Sequence, residues 1–356
     1  MRVGAFVLAA QFPGQSQREP LHRAIRTAEV AEASGLDSVW LAEHHFVPYG
    51  VCPSAVTLAA LLLGRTRRID VGTAVTVLPN AHPVALGEQA ALLHLTSGGR
   101  FVLGVGRGGP WVDLEVLGGG LDAYEHGFPE SLDLLMRWLR EARVGTDGER
   151  YQFREVEVVP RCDEPLLPSG GTERGGSPAR PPVVVACTSP GTVRLAAQRG
   201  LPMLLGMHCD DGEKAEVVAM WRREARDAGH SPEEIEQAAS LHVSAGVAQV
   251  GDDTAEAAEA LQKSMPGWFR TGLGAHRTVD GRQRTMRDPH GYTELLCKLH
   301  PVGTPALCAD RLAATSERTG INRYALLVEG TGDLAATERN VQRLGEEVLT
   351  QLPPAQ

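Results

Sequence analysis

VGTAVTVLPNAHPV, residues 71–84, is the stretch of sequence that decides the fold. It overlaps a β-branched run, residues 69–78, which is typical of a buried strand. A helix is predicted at residues 83–95, with a proline in its first turn, where proline is well tolerated. A strand followed at once by a helix is the unit from which parallel sheets are built.

The same unit recurs on both sides of this stretch, which predicts eight βα units in all. The other predicted strands are residues 3–10, 38–42, 101–105, 183–186, 201–205, 241–250 and 324–328, and the other helices are residues 21–34, 54–63, 191–199, 213–228, 304–319 and 334–349.

The predicted fold class is therefore α/β, a TIM (β/α)8 barrel that forms a single domain over residues 1–356. We expect an insertion loop at about 143–182, which includes a hairpin strand at residues 151–159. A mobile lid is expected at about 265–290, a polar, glycine-rich stretch. An open dinucleotide fold is disfavoured because residues 10–14, after the first strand, read AQFPG and not G-x-G-x-x-G.

Composition narrows the possible partners of the chain. The net charge is -9, and no basic patch interleaved with aromatic residues suggests nucleic acid. No signal sequence or apolar run of transmembrane length is visible, so we expect a cytoplasmic protein without membrane contact. The 6 cysteines form no C-x-x-C pair, which favours free thiols in a reducing compartment over disulfides or a zinc site.

Active sites of TIM barrels lie at the carboxyl ends of the strands, so polar residues just after each strand are the candidates. The segment TSPGT, residues 188–192, follows one strand and opens a helix, which favours an anion at the helix N-terminus. Arg107, after the preceding strand, can add a bidentate contact to phosphate. The structural alternative is that Ser189 only caps its helix and Arg107 lies on the surface.

Two adjacent histidines, His44 and His45, follow the second strand and point to opposite sides if that segment is extended. We favour general acid/base chemistry, since an ordinary histidine pKa near 6.5 suits it at neutral pH. A metal site built from His82, Asp113 and His126 is the weaker alternative, because no ligand spacing typical of metal sites is present.

Several of these residues fall in motifs that resemble the luciferase-like flavin-dependent monooxygenase family, and within it the alpha subunits of bacterial luciferase. The motifs span nearly the whole chain and occur in family order. They are WLAEHHF (residues 40–46), VGTAVTVLPNAHPV (71–84), SGGRFVLGVGRG (97–108), AAQRGLPM (196–203) and HPVGTP (300–305).

The resemblance implies a role for each residue that matches the family pattern. His44 corresponds to the catalytic histidine, and Ala74-Val75 falls where the family has a non-prolyl cis peptide beneath the flavin ring. The remaining expected cofactor contacts are Glu43, Gly106, Arg107, Ala186, Thr188, Ser189, Gly191, Thr192 and Met207, and the expected substrate pocket contains His45, Phe46, Trp111, Asp113, Trp268 and Phe269. For the three aromatic residues 111, 268 and 269 the alternative is ordinary core packing.

The chain departs from the luciferase pattern at three positions. Gly106 replaces a reactive cysteine, which removes bulk and a thiol and suggests room for a larger substrate. Thr188 replaces a glutamate, and Glu125 replaces a phosphate-binding arginine. Long-chain aldehyde is therefore doubtful as the physiological substrate.

The resemblance implies a monooxygenase that uses FMN reduced by a separate flavin reductase and transfers one oxygen atom of O2 through a flavin hydroperoxide, without a metal. With the arginine-rich, lysine-poor composition it suggests a tailoring hydroxylase or epoxidase that acts on a small organic substrate in polyketide-like natural-product or antibiotic biosynthesis. The alternatives are a deazaflavin-dependent hydride-transfer enzyme, a non-catalytic partner like the luciferase beta subunit, and a metal-dependent hydrolase. The resemblance also implies a homodimer, and the helix at residues 83–95 has a broad apolar face on which Ala85, Ala90 and Ala91 allow close approach of a second helix. The alternative for these alanines is packing against the barrel.

Overall fold

Eight parallel strands close into a barrel in the computed structural model, which describes residues 1–163, 179–282 and 285–353. Each strand pairs with its neighbour in the chain, and β8 pairs with β1 to close the barrel. The predicted TIM barrel is thus confirmed. The strands are β1 (Arg2–Val7), β2 (Ser38–Leu41), β3 (Asp70–Thr73), β4 (Phe101–Gly106), β5 (Val183–Cys187), β6 (Met203–Leu205), β7 (Val243–Val247) and β8 (Arg323–Leu327).

Helices surround the barrel on its outside. Four of those below, α4, α7, α8 and α9, were not predicted from the sequence. The helices are α1 (Arg18–Ala33), α2 (Ala55–Arg65), α3 (Pro83–Thr96), α4 (Phe128–Arg140), α5 (Pro190–Gln198), α6 (Asp211–Asp227), α7 (Pro232–Ala239), α8 (Thr254–Gly274), α9 (Pro289–Leu299), α10 (Pro305–Thr319) and α11 (Leu334–Arg343).

The interior of the barrel is packed around a large side chain, Trp40 on β2, which is 5% exposed. Glycines on the adjacent strands make room for it, because a Cβ at Gly72 would lie 2.6 Å from the Trp40 ring. Its indole Nε1 donates to Ser38 Oγ at 2.9 Å. The barrel is therefore a filled core, and ligands have access only at its ends.

The predicted lid at residues 265–290 is wrong for its first ten residues, which form the last turns of α8. Met265, Trp268 and Phe269 are buried there, at the spacing of one helix face. The polar residues that suggested a loop lie on the other side of the same helix. The chain leaves the helix at Ala275 and enters α9 at Pro289.

The region predicted as an insertion begins with the antiparallel hairpin Arg143–Asp147 and Gln152–Glu157, so the hairpin strand is confirmed. The rest of the predicted insertion loop, residues 164–178, lies outside the described residues.

Helix α3 uses Ala90 and Ala91 for the core and not for a partner, since both are buried beneath the helix. For these two residues the structure favours the alternative of packing against the barrel over a dimer interface. Two other residues of α3 face outward: Ala85 is exposed, and Leu92 is 53% exposed.

Within the described residues, no helix combines the length and the apolar character needed to cross a membrane. All 6 cysteines are free thiols.

Candidate active site

The carboxyl ends of β2, β3, β4 and β5 lie side by side at one rim of the barrel. His44 follows β2, the Ala74-Val75 peptide follows β3, Arg107 follows β4 and Ser189 follows β5. Parallel strands bring these four groups to the same end, so the sequence motifs meet at a single mouth.

His44 is half-buried at the mouth and packs against protein groups. Its backbone N–H donates to Cys52 O at 3.0 Å, and its ring meets the edge of Tyr49 at 5.0 Å. The imidazole Nδ1 is buried without a hydrogen-bond partner, and a Cβ at Gly50 would lie 2.8 Å from it. Nε2 is therefore the nitrogen left for a ligand.

Burial, together with the imidazoles of His276 and His45, lowers the pKa of His44 to about 3. The expectation of a histidine with an ordinary pKa is wrong for this reason. His44 is therefore a neutral imidazole near neutral pH. In that state it can accept a proton or a hydrogen bond, but it carries no proton to act as a cationic acid.

The neighbouring histidine has different surroundings. His45 Nε2 lies 3.7 Å from Glu43 Oε1, and its ring is 5.8 Å from that of Phe46. Phe46 is 60% exposed and has a positive φ of 62°, a conformation that L-residues other than glycine adopt rarely. Both residues were expected in the substrate pocket; Phe46 lies on the exposed side of the loop after β2, whereas the His45 side chain is only 10% exposed.

Glu43 was expected to contact the cofactor, but both of its carboxylate oxygens accept backbone N–H groups of the protein. Oε1 accepts from Val77 at 3.0 Å, and Oε2 accepts from Ala55, the first residue of α2, at 3.1 Å. The side chain thus ties the end of β2 to α2 and to the segment after the cis peptide. Glu43 is a positioning residue.

The Ala74-Val75 peptide is cis, as the resemblance implies. Val75 fills the space next to Gly106 on β4: a Cβ at Gly106 would lie 2.6 Å from Val75 Cγ2 and 3.3 Å from Ala186 Cβ. The expectation that glycine at 106 leaves room for a larger substrate is therefore wrong, because the Val75 side chain occupies that room.

We expect Gly106→Ala to destabilise the protein by about 1–3 kcal/mol, as overpacked core positions do. The Gly106→Ala/Val75→Ala double variant should recover most of that loss, because the second change removes the Cγ2 atom that the new Cβ would meet. Urea unfolding of both single variants and the double variant measures the coupling. Strictly additive losses would contradict the proposed contact.

The segment after β5 begins α5 with a capping box. Ser189 Oγ accepts from Thr192 N at 3.4 Å, and Thr192 Oγ1 accepts from Ser189 N at 3.2 Å. The two hydroxyls expected to bind phosphate thus also cap the N-terminus of the helix. Pro190 has no N–H, so the first-turn backbone donor left for an anion is that of Gly191, an exposed residue at which a Cβ would meet only Ser189 Oγ, at 3.9 Å. Thr188 is exposed beside it.

Arg107 supplies the cation at this end of the mouth. Its guanidinium lies over the ring of Tyr124 at 4.4 Å and forms no ion pair within the described residues. Glu125, next to that ring, is 43% exposed at its side chain and lies near His126 at 3.9 Å. The positive charge of Arg107 is therefore available to a ligand.

Trp268 and Phe269 belong to the aromatic core and not to an open wall, since each is 1% exposed. Trp268 stacks on Tyr49 at 4.8 Å with an interplanar angle of 3°, and its Nε1 donates to Tyr49 O at 3.0 Å. For these two residues the alternative of core packing is therefore correct, and they anchor α8 to the loop after β2. Trp111 is half-buried in the mouth, 4.7 Å from the ring of His276.

Asp113 is buried and accepts a hydrogen bond from Asn80 Nδ2 at 2.6 Å. The other two residues of the alternative metal site do not join Asp113. His82 Nδ1 caps α3 by accepting from Val84 N, and His126 is exposed. In the described part of the chain, no three histidine, cysteine or acidic side chains cluster as metal ligands do.

Sequence reasoning missed three residues of this rim: Tyr49, His276 and His300. His300 is buried and its Nε2 bonds Met207 O at 2.6 Å, which fixes the segment after β6 where Met207 was expected beside the ring. The motif HPVGTP contains His300, but its partner is 93 residues away in the chain. Only the folded barrel shows that contact.

A separate cavity of about 860 Å³ opens at the other, amino-terminal end of the barrel. Several of its charged groups have partners within the protein: Arg2 lies 3.8 Å from Asp70, and Arg323 Nε donates to Ser240 O at 3.1 Å. None of the predicted site residues lines it, although the motif residues Trp40, Gly72, Gly99 and Val102 do. The candidate active site is thus the carboxyl-terminal mouth.

Comparison with known proteins agrees with this geometry. The family model for luciferase-like monooxygenases matches residues 1–323. The alkanal monooxygenase alpha chain of Photorhabdus luminescens is 30% identical over 349 residues, 93% of this chain and 92% of that relative.

Solved structures share the fold at lower identity. Monooxygenase RslO1 from Streptomyces bottropensis superposes with a TM-score of 0.80 at 21% identity, covering 98% of this chain and 99% of that one. The oxygenating constituent of 3,6-diketocamphane monooxygenase from Pseudomonas putida, in complex with FMN, gives 0.73 at 20% identity, covering 100% and 99%. An F420-dependent secondary alcohol dehydrogenase gives 0.71 at 17% identity, covering 99% of both chains. From its family match and its identity to the alkanal monooxygenase alpha chain, this chain belongs to the luciferase-like monooxygenase family.

Proposed function

We propose that the chain is a monooxygenase that uses reduced FMN and inserts one oxygen atom of O2 into a small organic substrate. The observation that supports it most is the meeting of His44, the cis Ala74-Val75 turn and Arg107 at one rim. A buried base, a small-residue surface and a cation suit a flavin and its phosphate.

The residues present fit FMN by their chemistry. The side chains of Ala74, Val75 and Ala186 are small and apolar, and Gly106 lets them pack closely, which favours an aromatic ring system. Arg107 and the N–H of Gly191 supply donors for a phosphate. When bound, reduced flavin supplies the two electrons that reduce O2 to the inserted oxygen atom and water.

The protein groups handle protons and exclude water. Neutral His44 accepts a hydrogen bond from the reacting O–H at Nε2, and Tyr49 and Trp268 close the space behind it. Residues 110–112 and 277–279 are joined by backbone hydrogen bonds over the mouth, which shields the reaction from solvent.

We further propose that a separate reductase supplies the reduced FMN, that the chain forms a homodimer in the cytoplasm, and that the substrate is a polyketide-like natural product that is hydroxylated or epoxidised. Leu61 on α2 and Leu92 on α3, exposed at 46% and 53%, are two of the apolar residues that a second copy could cover. Sedimentation of the purified chain tests the dimer.

The test uses photoreduced FMN and isotope-labelled O2 with three probe acceptors: decanal, a bicyclic diketone and a polycyclic phenol. The proposal expects label in at least one product. A protein that binds reduced F420, transfers hydride and ignores reduced FMN in air would establish the deazaflavin alternative. Binding of neither cofactor would establish the non-catalytic alternative, against which the presence of His44 and Arg107 argues.

Arg107→Met should weaken FMN binding by about 10- to 100-fold, the effect of losing a hydrogen bond to a charged group. Riboflavin, which has no phosphate, is the matched control and should bind both proteins equally. Fluorescence titration with the two flavins measures the difference. An equal loss for both flavins would place Arg107 away from the phosphate.

A further inference from the structure

A second imidazole lies in the mouth beside His44. His276 follows Ala275, the residue that ends α8. Its ring is 6.4 Å from that of His44, 6.0 Å from Tyr49 and 4.7 Å from Trp111. His276 thus shares its closest aromatic neighbours with the site.

The position of His276 is fixed from both sides. On one side α8 is anchored by Trp268, and on the other the backbone after His276 pairs with the loop after β4. Val112 N donates to Arg277 O at 2.9 Å, and Val279 N donates to Pro110 O at 2.9 Å. The imidazole is therefore held at the mouth and is not carried by a free loop.

The separation between the two imidazoles suits one bridging atom. At 6.4 Å between ring centres they are too far apart for a direct hydrogen bond. A single oxygen atom between the nitrogens, from water or substrate, can bond to both. The rings are also steeply inclined, at 75°, so they do not stack.

A positive charge is stabilised on the His276 ring by nearby groups but not on the His44 ring. His276 Nδ1 lies 3.3 Å from Leu273 O, at the carboxyl end of α8, where cations are stabilised, and the Asp113 carboxylate attracts it. The ionisable side chains of His44 and Tyr49 also lie near it, and Arg277 is exposed. His44 has no such support, since its Nδ1 has no partner.

The direction of the pKa shifts agrees with this geometry. Burial lowers the pKa of His276, but Leu273, Asp113 and Gly272 act against that shift. His44 has no opposing group and its pKa falls to about 3. A proton taken up by His44 therefore leaves it readily, and His276 is the better acceptor.

We propose that His276 is the residue through which His44 exchanges its proton with solvent, by way of one bridging oxygen atom. The inference rests on the proposed function. The O–H bond of the reacting group breaks, and its proton moves to His44 Nε2. It then passes through the bridging oxygen to Nε2 of His276, which is half-exposed, and leaves to bulk water. No electron is transferred in this step.

The first test uses NMR of the full-length, flavin-free protein with labelled histidines. We expect His276 to titrate at higher pH than His44, because its charged form has partners. Asp113→Asn should lower the pKa of His276, since it removes the carboxylate. A His276 pKa that is below that of His44, or that does not respond to Asp113→Asn, overturns the proposal.

The second test compares His276→Gln with wild type in the oxygenation of the acceptor identified above. We expect a loss of about tenfold, smaller than that for the base itself, and recovery in proportion to added neutral imidazole. Exposed His290→Gln is the matched control and should show neither effect. A loss that imidazole does not restore would show a structural role and overturn the relay.

The two tests separate this inference from the proposed function. If the wild type oxygenates no acceptor, the proposed function fails, and the titration still decides whether His276 carries the charge. If the wild type is active and His276→Gln matches it over the whole pH range, the relay fails alone.

Discussion

His44→Ala is expected to lower the rate of oxygen transfer by about 100- to 10,000-fold, the range for loss of a general acid/base. The side chain is the neutral imidazole at the mouth, and its ring lies nearer to Tyr49, at 5.0 Å, than that of His276, at 6.0 Å. The measurement is a single turnover with photoreduced FMN, labelled O2 and the best acceptor of the wild type. FMN affinity should stay unchanged, because the phosphate is proposed to lie at Arg107.

His126→Ala is the matched control for this experiment. Its side chain is 76% exposed and outside the mouth, so wild-type rates are expected. Normal turnover by the His44→Ala protein would contradict the assignment of His44 as the base. Loss of activity in His126→Ala would instead revive the metal alternative.

Glu329→Gln is expected to destabilise the protein by about 3–5 kcal/mol, the cost of breaking a buried ion pair. Glu329 is 0% exposed, and its Oε2 accepts from Arg23 Nε at 3.1 Å. Its Oε1 accepts from Leu8 N at 2.7 Å, and Arg23 also donates to Ala10 O and Gly332 O. Removing the charge leaves a guanidinium buried beside the β1 loop. The free energy of unfolding in urea measures the effect.

An exposed pair provides the comparison for Glu329. Glu236 pairs with Arg222, and the side chains are 68% and 31% exposed. Glu236→Gln should cost less than about 1 kcal/mol, because water already solvates both charges. The Arg23→Met/Glu329→Leu double variant should recover part of the loss, since no unpaired charge remains. Equal effects of Glu329→Gln and Glu236→Gln would contradict the importance of burial.

The fold was predictable because its signals are local. The β-branched run at 69–78 and the proline at 83 report a strand and a helix without reference to any distant residue, and the same holds for the other units. Helix α8 was not predicted, and its last turns were taken for a lid because polar residues such as Arg270 and Thr271 suggested a loop, whereas the buried Trp268 and Phe269 set the structure.

The grouping of the candidate residues was also predictable, because parallel strands deliver the residues after them to one rim. His44, Arg107 and Ser189 needed only the strand assignments to be placed together. Their states were not predictable. The pKa of His44 depends on burial by Tyr49 and Gly50, and the space at Gly106 depends on Val75, which is on a different strand segment.

The sequence by itself determined the βα repeat, the cis turn by resemblance, and the list of groups at the mouth. Only the tertiary structure decided which of them stay free for a ligand. Glu43 proved to hold backbone N–H groups 12 and 34 residues away, and Trp268 bonds Tyr49 across 219 residues. Hydrogen-bond partners and burial depend on contacts between residues that are far apart in the chain. A sequence pattern does not show which of those residues come close together in space.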